Sequence, residues 1–237
     1  TVQIFDLVPN QAFKYVTFSV GSGTYVIDGL KAISEDSVKL SKFTFTPLAG
    51  TAGDDVLHGS AGDDIINAND GNDIVYGRAG DDSINGGNGH DILYAEDGND
   101  TINGDAGNDT LYGGIGNDTL NGGADNDILI GGTGNDILTG GAGADTFVWG
   151  IGDADGSTDV ITDYSQADND VIDVSALLDQ LGWDNTMPTL SNFVTTHGTN
   201  TFDVHTADLS QTVHITVTGQ TFTDLADLMA KTNLKID

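Results

Sequence analysis

The sequence predicts an all-β fold organised around a parallel solenoid, and three observations lead to that prediction. Between Gly50 and Val148, a nine-residue unit of the form G-G-x-G-x-D-x-U-x, where U is a large apolar residue, recurs without insertion or deletion. An aspartate keeps the same phase in all eleven units, and an apolar residue follows each one two positions later. A fixed period of this kind is typical of solenoids, whose repeats stack on one another.

The eleven in-phase aspartates are Asp55, Asp64, Asp73, Asp82, Asp91, Asp100, Asp109, Asp118, Asp127, Asp136 and Asp145. The apolar residues two positions later are Leu57, Ile66, Val75, Ile84, Leu93, Ile102, Leu111, Leu120, Leu129, Leu138 and Phe147. The three residues centred on U favour an extended strand, with U pointing inward and its neighbours outward. The other six positions, rich in glycine, are expected to form the turn.

Two units should make one flattened coil of 18 residues, because the residue after U alternates in type along the chain. It is tyrosine at Tyr76, Tyr94 and Tyr112, which stand 18 apart, and asparagine at Asn67, Asn85, Asn103 and Asn121 in the intervening units. Strands 18 residues apart are therefore predicted to pair, which gives two sheets with different outward faces.

Burial alone is not expected to hold such a coil together, because two apolar side chains cannot offset the entropy lost in ordering 18 residues. The repeat segment also holds 19 acidic side chains against the single Arg78, a net charge of −18. A hard dication suits rows of carboxylates, and Ca²⁺ accepts mixed shells of carboxylate and carbonyl oxygens. Eleven units make nine stacked pairs, so about nine ions are expected. Their positive charge would balance the net negative charge of the repeat segment.

These repeats resemble the RTX repeats of bacterial proteins exported by type I secretion, which fold as a parallel β-roll. The resemblance implies that each ion lies between stacked turns, held by the aspartate carboxylates of both turns and by carbonyls of the glycine-rich positions. The implied glycine positions are Gly53, Gly59, Gly62, Gly71, Gly77, Gly80, Gly86, Gly89, Gly98, Gly104, Gly107, Gly113, Gly116, Gly122, Gly131, Gly134, Gly140 and Gly143.

Six residues depart from the glycine pattern, and the sites that use their turns are expected to be weaker: Ala68, Arg78, Ala95, Glu96, Asp105 and Asp125. The alternative to a β-roll is a disordered Gly/Asp-rich linker. Disorder would not maintain phase over eleven units, although it can describe the calcium-free chain.

The composition of the whole chain excludes several classes of partner. Its 237 residues carry a net charge of −30, which disfavours nucleic acid and anionic membrane surfaces as partners. No apolar run approaches the length of a membrane span. Cysteine is absent, so calcium is expected to stabilise the fold in place of disulfides. The chain begins at Thr1 without Met, and we expect it to be part of a longer protein.

Residues 1–49 are predicted to form a small β-rich unit, either a cap on the first coil or the end of a preceding domain. Four of the seven basic residues lie there. Alternating apolar patterns predict strands at Val2–Phe5, Tyr15–Val20, Thr24–Ile27 and Val38–Phe45. The cap is the preferred interpretation. Residues 50–149 then form the roll.

Residues 150–237 are predicted to form a C-terminal β-rich capping and secretion region with short helices. Strands are expected at 159–164, from Asp170, at 193–195, at 201–204 and at 212–217. One helix should start with Ser175 as its N-cap and stop at Gly182, and a second should place Leu225, Leu228 and Met229 on one face. The segments G-A-D-T-F-V-W, D-V-I-T-D-Y and D-V-I-D-V-S-A-L-L resemble the C-terminal targeting region of type I secreted adhesins.

That resemblance implies an uncleaved export signal and, as partners, an ABC transporter, a membrane fusion protein and an outer-membrane channel. The expected protein is a secreted or cell-surface adhesin of a Gram-negative bacterium, monomeric, with this chain as its calcium-dependent folding and export module. Two alternatives stay open. One is the carrier end of a secreted epimerase, lipase or protease, and the other is a solenoid that binds ice or polysaccharide through an outward row.

Catalytic motifs are not found: H-E-x-x-H, G-x-S-x-G and the P-loop are all missing. His205 and His214 could face each other across two strands, although ordinary strand or surface positions are favoured. Adjacent carboxylates such as Asp54 and Asp55 resemble glycosidase pairs but are explained by the repeat. The tyrosines at Tyr76, Tyr94 and Tyr112 could stack against a sugar, but a ladder that stabilises the sheet is favoured. No catalytic residue is therefore predicted.

Overall fold

The computed structural model describes residues 15–20 and 23–28 as backbone, and residues 48–150, 152–183, 190–197, 199–206 and 210–236 in full. The first two strands form an antiparallel hairpin in which Tyr15 pairs with Asp28. This confirms two of the strands expected before residue 49. The strands expected at 2–5 and 38–45 lie outside the described residues, and the role of residues 1–49 as a cap stays a prediction.

The repeat segment folds into consecutive strands joined by tight turns, and the C-terminal region adds further strands and two helices among the described residues. The strands are β1 Tyr15–Val20, β2 Gly23–Asp28, β3 Leu48–Ala49, β4 Val56–His58, β5 Ile65–Asp70, β6 Ile74–Ala79, β7 Ser83–Asn88, β8 Ile92–Asp97, β9 Thr101–Ala106, β10 Thr110–Ile115, β11 Thr119–Ala124, β12 Ile128–Thr133, β13 Ile137–Ala142, β14 Thr146–Val148, β15 Thr158–Ile161, β16 Val171–Asp173, β17 Val194–His197, β18 Thr201–His205, β19 Thr212–Val217 and β20 Asn233–Lys235. The helices are α1 Ser175–Leu181 and α2 Leu225–Lys231.

Consecutive repeat strands enter opposite sheets, which confirms the 18-residue coil. One sheet has eight strands in the order β20-β16-β14-β12-β10-β8-β6-β4, and the other has ten in the order β17-β18-β19-β15-β13-β11-β9-β7-β5-β3. Within the repeats all pairing is parallel, and Leu111, for example, pairs with Leu93 and Leu129. The molecule is therefore a parallel β-solenoid, as the sequence predicts.

The strands are longer than the three residues expected around each U position. Most repeat strands span six residues. In the β5–β7 pair, the register runs from Ile65–Ser83 to Asn67–Asn85, skips one residue and resumes at Asn69–Gly87. Because backbone pairing resumes beyond the skipped residue, part of each expected turn belongs to the sheet.

The core of the roll is formed by the U side chains of both sheets, which meet between them. From Ile66 to Phe147 each of them is at most 2% exposed. Up to Gly140, the position two residues beyond U is a glycine or, at Ala68 and Ala95, a fully buried alanine. The interior of these coils is thus too thin for larger side chains at that position, and only after the last repeat does a large buried side chain, Trp149, occupy it.

The C-terminal region continues both sheets and covers the end of the roll. β15 pairs with β13, and β16 pairs with β14. Helix α1 ends at Gly182, whose φ of 88° is the left-handed conformation expected there, but its N-cap is Val174 rather than Ser175. The Ser175 hydroxyl instead donates to Asp173 at 2.6 Å, because that carboxylate precedes the helix. Helix α2 presents Leu225, Leu228 and Met229 to the core, as predicted.

Within these described ranges, no helix combines the length and apolar character that a membrane crossing requires.

Candidate calcium sites

The repeat aspartates form two ladders inside the turns, one along each edge of the roll. From Asp73 to Asp145 each is at most 3% exposed. The Oδ1 atom of each accepts a hydrogen bond from the backbone N–H of the aspartate 18 residues earlier, at 2.7 to 2.9 Å. This contact fixes every carboxylate in the gap between two stacked coils.

The second oxygen of these carboxylates has no hydrogen-bond donor. It is buried and unpartnered in one aspartate of each stacked pair: Asp73, Asp82, Asp91, Asp100, Asp109, Asp118, Asp127, Asp136 and Asp145. Buried charged oxygens of this kind are costly unless something pairs with them. The nine orphaned atoms equal the number of stacked pairs, so each gap presents one oxygen that requires a positive partner.

Burial raises the pKa of these carboxyls, because desolvation penalises the charged form; a backbone N–H bond opposes the rise, and neighbouring aspartates add to it. From the ordinary 3.8, the pKa rises to about 7 at Asp82, Asp109, Asp118 and Asp127, to about 8 at Asp136 and to about 6 at Asp145. It is also raised at Asp73, Asp91 and Asp100. The charged ladder therefore destabilises the roll in the absence of a counter-charge.

A first set of glycines, five residues before the aspartates, leaves room for these oxygens. A methyl group on Gly86 would lie 2.4 Å from Oδ2 of Asp91 and 2.9 Å from the carbonyl oxygen of Gly104. The same space, lined by carboxylate and carbonyl oxygens, adjoins Gly59, Gly77, Gly104, Gly113 and Gly122, and a carboxylate oxygen lies equally close to Gly131 and Gly140. A side chain there would fill the space in which a cation meets both kinds of oxygen.

A second set of glycines, two residues before the aspartates, allows the turns to stack closely. A methyl group on Gly89 would lie 1.7 Å from the carbonyl oxygen of Gly71. Left-handed φ angles occur throughout this set from the third repeat onward, at Gly71, Gly80, Gly89, Gly98, Gly107, Gly116, Gly134 and Gly143. Gly53 and Gly62 belong to the first coil, and a methyl group on Gly53 would meet nothing.

The two glycine sets and the aspartate ladder together fit Ca²⁺. In the described part of the chain, no three His, Cys, Asp or Glu side chains already surround a position that could hold a metal ion. An ion in these gaps must therefore take several ligands from main-chain carbonyls, which suits the mixed oxygen shells of Ca²⁺. Eight of the implied glycines line the oxygen space, and the other ten shape the turns.

Four of the six departures from the glycine pattern keep the positive φ that glycine adopts easily: Arg78, Glu96, Asp105 and Asp125. These four and Asn69 have φ between 72° and 87°, a region that side chains with a Cβ adopt at a cost. The roll thus continues through these positions with local strain. Whether the adjoining sites bind more weakly stays a prediction.

A second ladder, not predicted from the sequence, uses the residue before each aspartate. The side chain of Asn117 accepts a hydrogen bond from the backbone N–H of Asn135 at 2.9 Å, and Asn99 accepts from Asn117 at 3.0 Å. These bonds run in the opposite direction to those of the aspartate ladder. The signal was present as a recurring Asn or Asp one position before the repeat aspartate. In Asp81–Asp82 the Asp82 carboxylate accepts from the N–H of Asp64 and the Asp81 carboxylate accepts from the N–H of Asn99. Each carboxylate thus belongs to one of the two ladders, and the adjacent pair does not resemble a catalytic pair.

The aspartate ladder also extends beyond the repeats. Oδ1 of Asp159 accepts from the N–H of Asp136, and Oδ1 of Asp170 accepts from that of Asp145. Their second oxygens are not orphaned, because the Trp149 indole N–H and the Ser165 N–H donate to them at 2.7 Å. The sequence signal is the D-x-U spacing of Asp159–Ile161 and Asp170–Ile172, which survives the loss of the nine-residue period.

In the first coil, too, the second carboxylate oxygens of the repeat aspartates have hydrogen-bond donors. Thr51 donates to Oδ2 of Asp55 through its backbone N–H at 2.6 Å, and Ser60 donates to Oδ2 of Asp64 at 2.5 Å. Hydrogen-bond donors therefore close both ends of the ladder, and the nine unpartnered oxygens lie between them.

The outward tyrosines form a stacked ladder, which confirms the structural interpretation. Ring centroids are 4.9 Å apart for His58–Tyr76, 5.1 Å for Tyr76–Tyr94 and 4.6 Å for Tyr94–Tyr112, with planes inclined by 6° to 14°. The ring faces are covered by neighbouring rings. Sugar stacking needs an open ring face, so this geometry disfavours the tyrosines as a sugar platform.

His205 and His214 do not lie opposite each other, in agreement with the ordinary strand positions that the sequence favoured. The register of β18 and β19 places His205 opposite Thr212, and His214 opposite Asp203. The two histidines are therefore offset by two positions along neighbouring strands.

Four copies of the RTX calcium-binding nonapeptide repeat profile match residues 49–84, 76–111, 85–120 and 121–153. No curated protein matches the chain. The extracellular lipase LipA from Serratia marcescens is 18% identical with a TM-score of 0.33, over 83% of this chain and 41% of the lipase. The AlgE6R3 subunit of the Azotobacter vinelandii mannuronan C5-epimerase is 23% identical with a TM-score of 0.27, over 80% of this chain and 81% of the subunit. The chain thus spans about two fifths of the lipase. The ladders, the glycine-lined spaces and the profile matches agree, and residues 49–153 are RTX calcium-binding nonapeptide repeats folded as a parallel β-roll.

Proposed function

We propose that this chain is the calcium-dependent folding and type I secretion module at the C-terminal end of a large RTX adhesin of a Gram-negative bacterium. The observation that supports the calcium dependence is the set of nine buried, unpartnered carboxylate oxygens, one in each stacked pair. A fold with this many uncompensated charges depends on cations for its stability.

The residues around each gap between stacked coils arrange the oxygen atoms that would bind a cation. The backbone N–H of one aspartate orients the carboxylate of the next coil, and the glycine beside it leaves an oxygen-lined space. Calcium, when bound, supplies the positive charge that these oxygens lack. About nine ions would offset the net charge of −18 on the repeat segment.

Calcium dependence suits export in an unfolded state. Cytosolic calcium is far below the roughly 10⁻⁴ to 10⁻³ M affinity of extracellular calcium modules, so carboxylate repulsion keeps the chain open inside the cell. Outside, the C-terminal end emerges first and folds, which discourages backward movement through the channel. The partners in this proposal are the ABC transporter, the membrane fusion protein and the outer-membrane channel.

Contacts at the last coil support folding from that end. The carboxylate of Asp163 accepts hydrogen bonds from the N–H groups of Gly140 and Gly141 at 3.0 and 2.8 Å. The C-terminal strands also extend both sheets of the roll. The coil that emerges early is thus stabilised by protein contacts as well as by cations.

Circular dichroism with and without chelator, combined with calorimetric calcium titration, tests the proposal. We expect little β structure in chelator, cooperative folding on addition of calcium and about nine bound ions. Full β structure in chelator would refute calcium-dependent folding. A count of about eleven would instead show that the pairs ending at Asp159 and Asp170 also bind ions.

The sequence that precedes Thr1 in the full-length protein tests the adhesin assignment. Tandem β-sandwich repeats upstream support it. A catalytic motif upstream would instead make this chain the carrier end of a secreted enzyme.

A further inference from the structure

The antiparallel extension of the ten-stranded sheet carries a cluster of histidines that the calcium sites do not use. On one face of strands β17, β18 and β19, the side chains of residues such as Phe202, Val204 and Val213 are buried in the core. Their opposite face carries Asp203 and three histidines: His197, His205 and His214. One face of this small sheet is therefore apolar, and the other is rich in metal-binding side chains.

Asp203 is the centre of this cluster. It is only 4% exposed, and its two carboxylate oxygens contact Nδ1 of His197 at 2.5 Å and Nδ1 of His214 at 2.6 Å. It lies with His205 in a concavity of about 660 Å³ that also contains Thr195 and Thr212, and the described residues that line it include no lysine or arginine. Among the described side chains, the carboxylate thus has imidazole partners and no permanent cation.

The backbone register places these residues side by side. Asp203 and His205 stand two apart on β18 and so share a face, and Asp203 lies directly opposite His214 on β19. His197 on β17 is the diagonal neighbour of Asp203, because Thr195 is the residue opposite it. Three adjacent strands therefore bring a carboxylate and two imidazoles to one point without any loop.

We propose that Asp203, His197 and His214 form a binding site for a transition-metal dication such as Zn²⁺, separate from the calcium sites. Imidazole suits Zn²⁺, Cu²⁺ and Ni²⁺, whereas Ca²⁺ prefers oxygen ligands. The calcium ladders offer carboxylates and carbonyls, and this cluster offers two ring nitrogens beside a carboxylate. The two sites thus select different ions.

The cluster is closed in this structure. The two imidazoles contact the carboxylate directly, so the three side chains do not already surround a position that could hold an ion. A dication takes the place of these two contacts, which requires loss of the Nδ1 protons and a small rotation of the rings. His197 can rotate because its side chain is 67% exposed, and that of His214 is 37% exposed.

His205 differs from the other two histidines. Its Nδ1 lies 2.8 Å from the carbonyl oxygen of Thr206, and its Nε2 lies 3.2 Å from the Thr195 hydroxyl. Both ring nitrogens therefore have neutral partners. Solvent, rather than His205, is expected to complete the four-coordinate shell that Zn²⁺ prefers.

Calorimetric titration of Zn²⁺ into the full chain saturated with Ca²⁺ tests the proposal. One binding event is expected, and His214→Ala and Asp203→Asn should each weaken it by at least about tenfold. His197→Ala should have the same effect and is safe for folding because the side chain is exposed. His58→Ala, at the end of the aromatic ladder, is the matched control and should bind Zn²⁺ like the unaltered chain.

A second measurement identifies the ligand residues. Co²⁺ in place of Zn²⁺ should give a d–d absorption spectrum that His197→Ala and His214→Ala both remove. Absence of Zn²⁺ binding in the calcium-saturated chain overturns the proposal, as does binding that survives both histidine substitutions. Neither result would affect the calcium-dependent folding, which the chelator experiment measures separately.

Discussion

Replacing Asp118 by asparagine is expected to change the stability of the roll in opposite directions with and without calcium. Asp118 lies in two stacked gaps, one with Asp100 and one with Asp136. Its Oδ1 accepts from the N–H of Asp100 at 2.8 Å, and an asparagine can retain that bond. Its Oδ2 is buried without a donor, and this is the atom that the substitution changes.

The magnitude follows from the pKa of Asp118. Burial raises this pKa from 3.8 to about 7, which corresponds to about 4 kcal/mol for the charged group at alkaline pH. Water near the turn screens part of this cost, so a gain of roughly 2 kcal/mol is expected in chelator. The new amide would also face the carbonyl oxygen of Gly131, since both Oδ2 and that oxygen lie 2.4 Å from the position of a methyl group on Gly113.

With calcium the same substitution should be harmful. Two gaps lose a charged ligand, so the number of tightly bound ions should fall from about nine to about seven. The calcium concentration needed for half-maximal folding should rise. The stabilising and destabilising effects thus come from the same oxygen atom.

The assay is circular dichroism at pH 8, in chelator with increasing amounts of a stabilising osmolyte and separately in a calcium titration. Asp179→Asn, which removes one exposed carboxylate from helix α1, is the matched control and should change neither curve. If Asp118→Asn destabilises the roll equally in chelator and in calcium, its carboxylate is not an unpartnered charge and the reasoning fails.

Three further perturbations test other parts of the structure. Lowering the pH from about 8 to about 5 in chelator should increase β structure. Folding raises the pKa of carboxyls such as Asp136 from 3.8 to about 8, so the folded chain binds more protons than the unfolded chain over this range and is stabilised by acid. Loss of β structure on acidification would contradict this. Trp149→Phe removes the donor to Asp159 and should cost about 1 to 3 kcal/mol of stability in thermal melts, less in the Asp159→Asn background. Glu96→Gly should stabilise the roll by about 1 kcal/mol, because it relieves a φ of 79°, and so raise its melting temperature. Asp97→Gly should not.

The sequence determined the repeat, its two-unit coil and the inward U residues, because strict periodicity leaves one way to stack the units. The stacking of Tyr76, Tyr94 and Tyr112 followed from the same 18-residue spacing. The aspartate rows were also predictable, since residues at one phase of a solenoid must align. These features depend on local backbone geometry repeated in register.

Only the tertiary structure decided which oxygen of each aspartate is satisfied and where the ladder ends. Asp159 stands 23 residues after Asp136, and Asp170 stands 25 after Asp145, so no fixed period points to them. Likewise, the register of β18 and β19, and not the spacing of the histidines, places Asp203 opposite His214. The physical reason is that hydrogen-bond donors such as the Trp149 indole reach these groups across irregular loops, whose path depends on the packing of the whole C-terminal region.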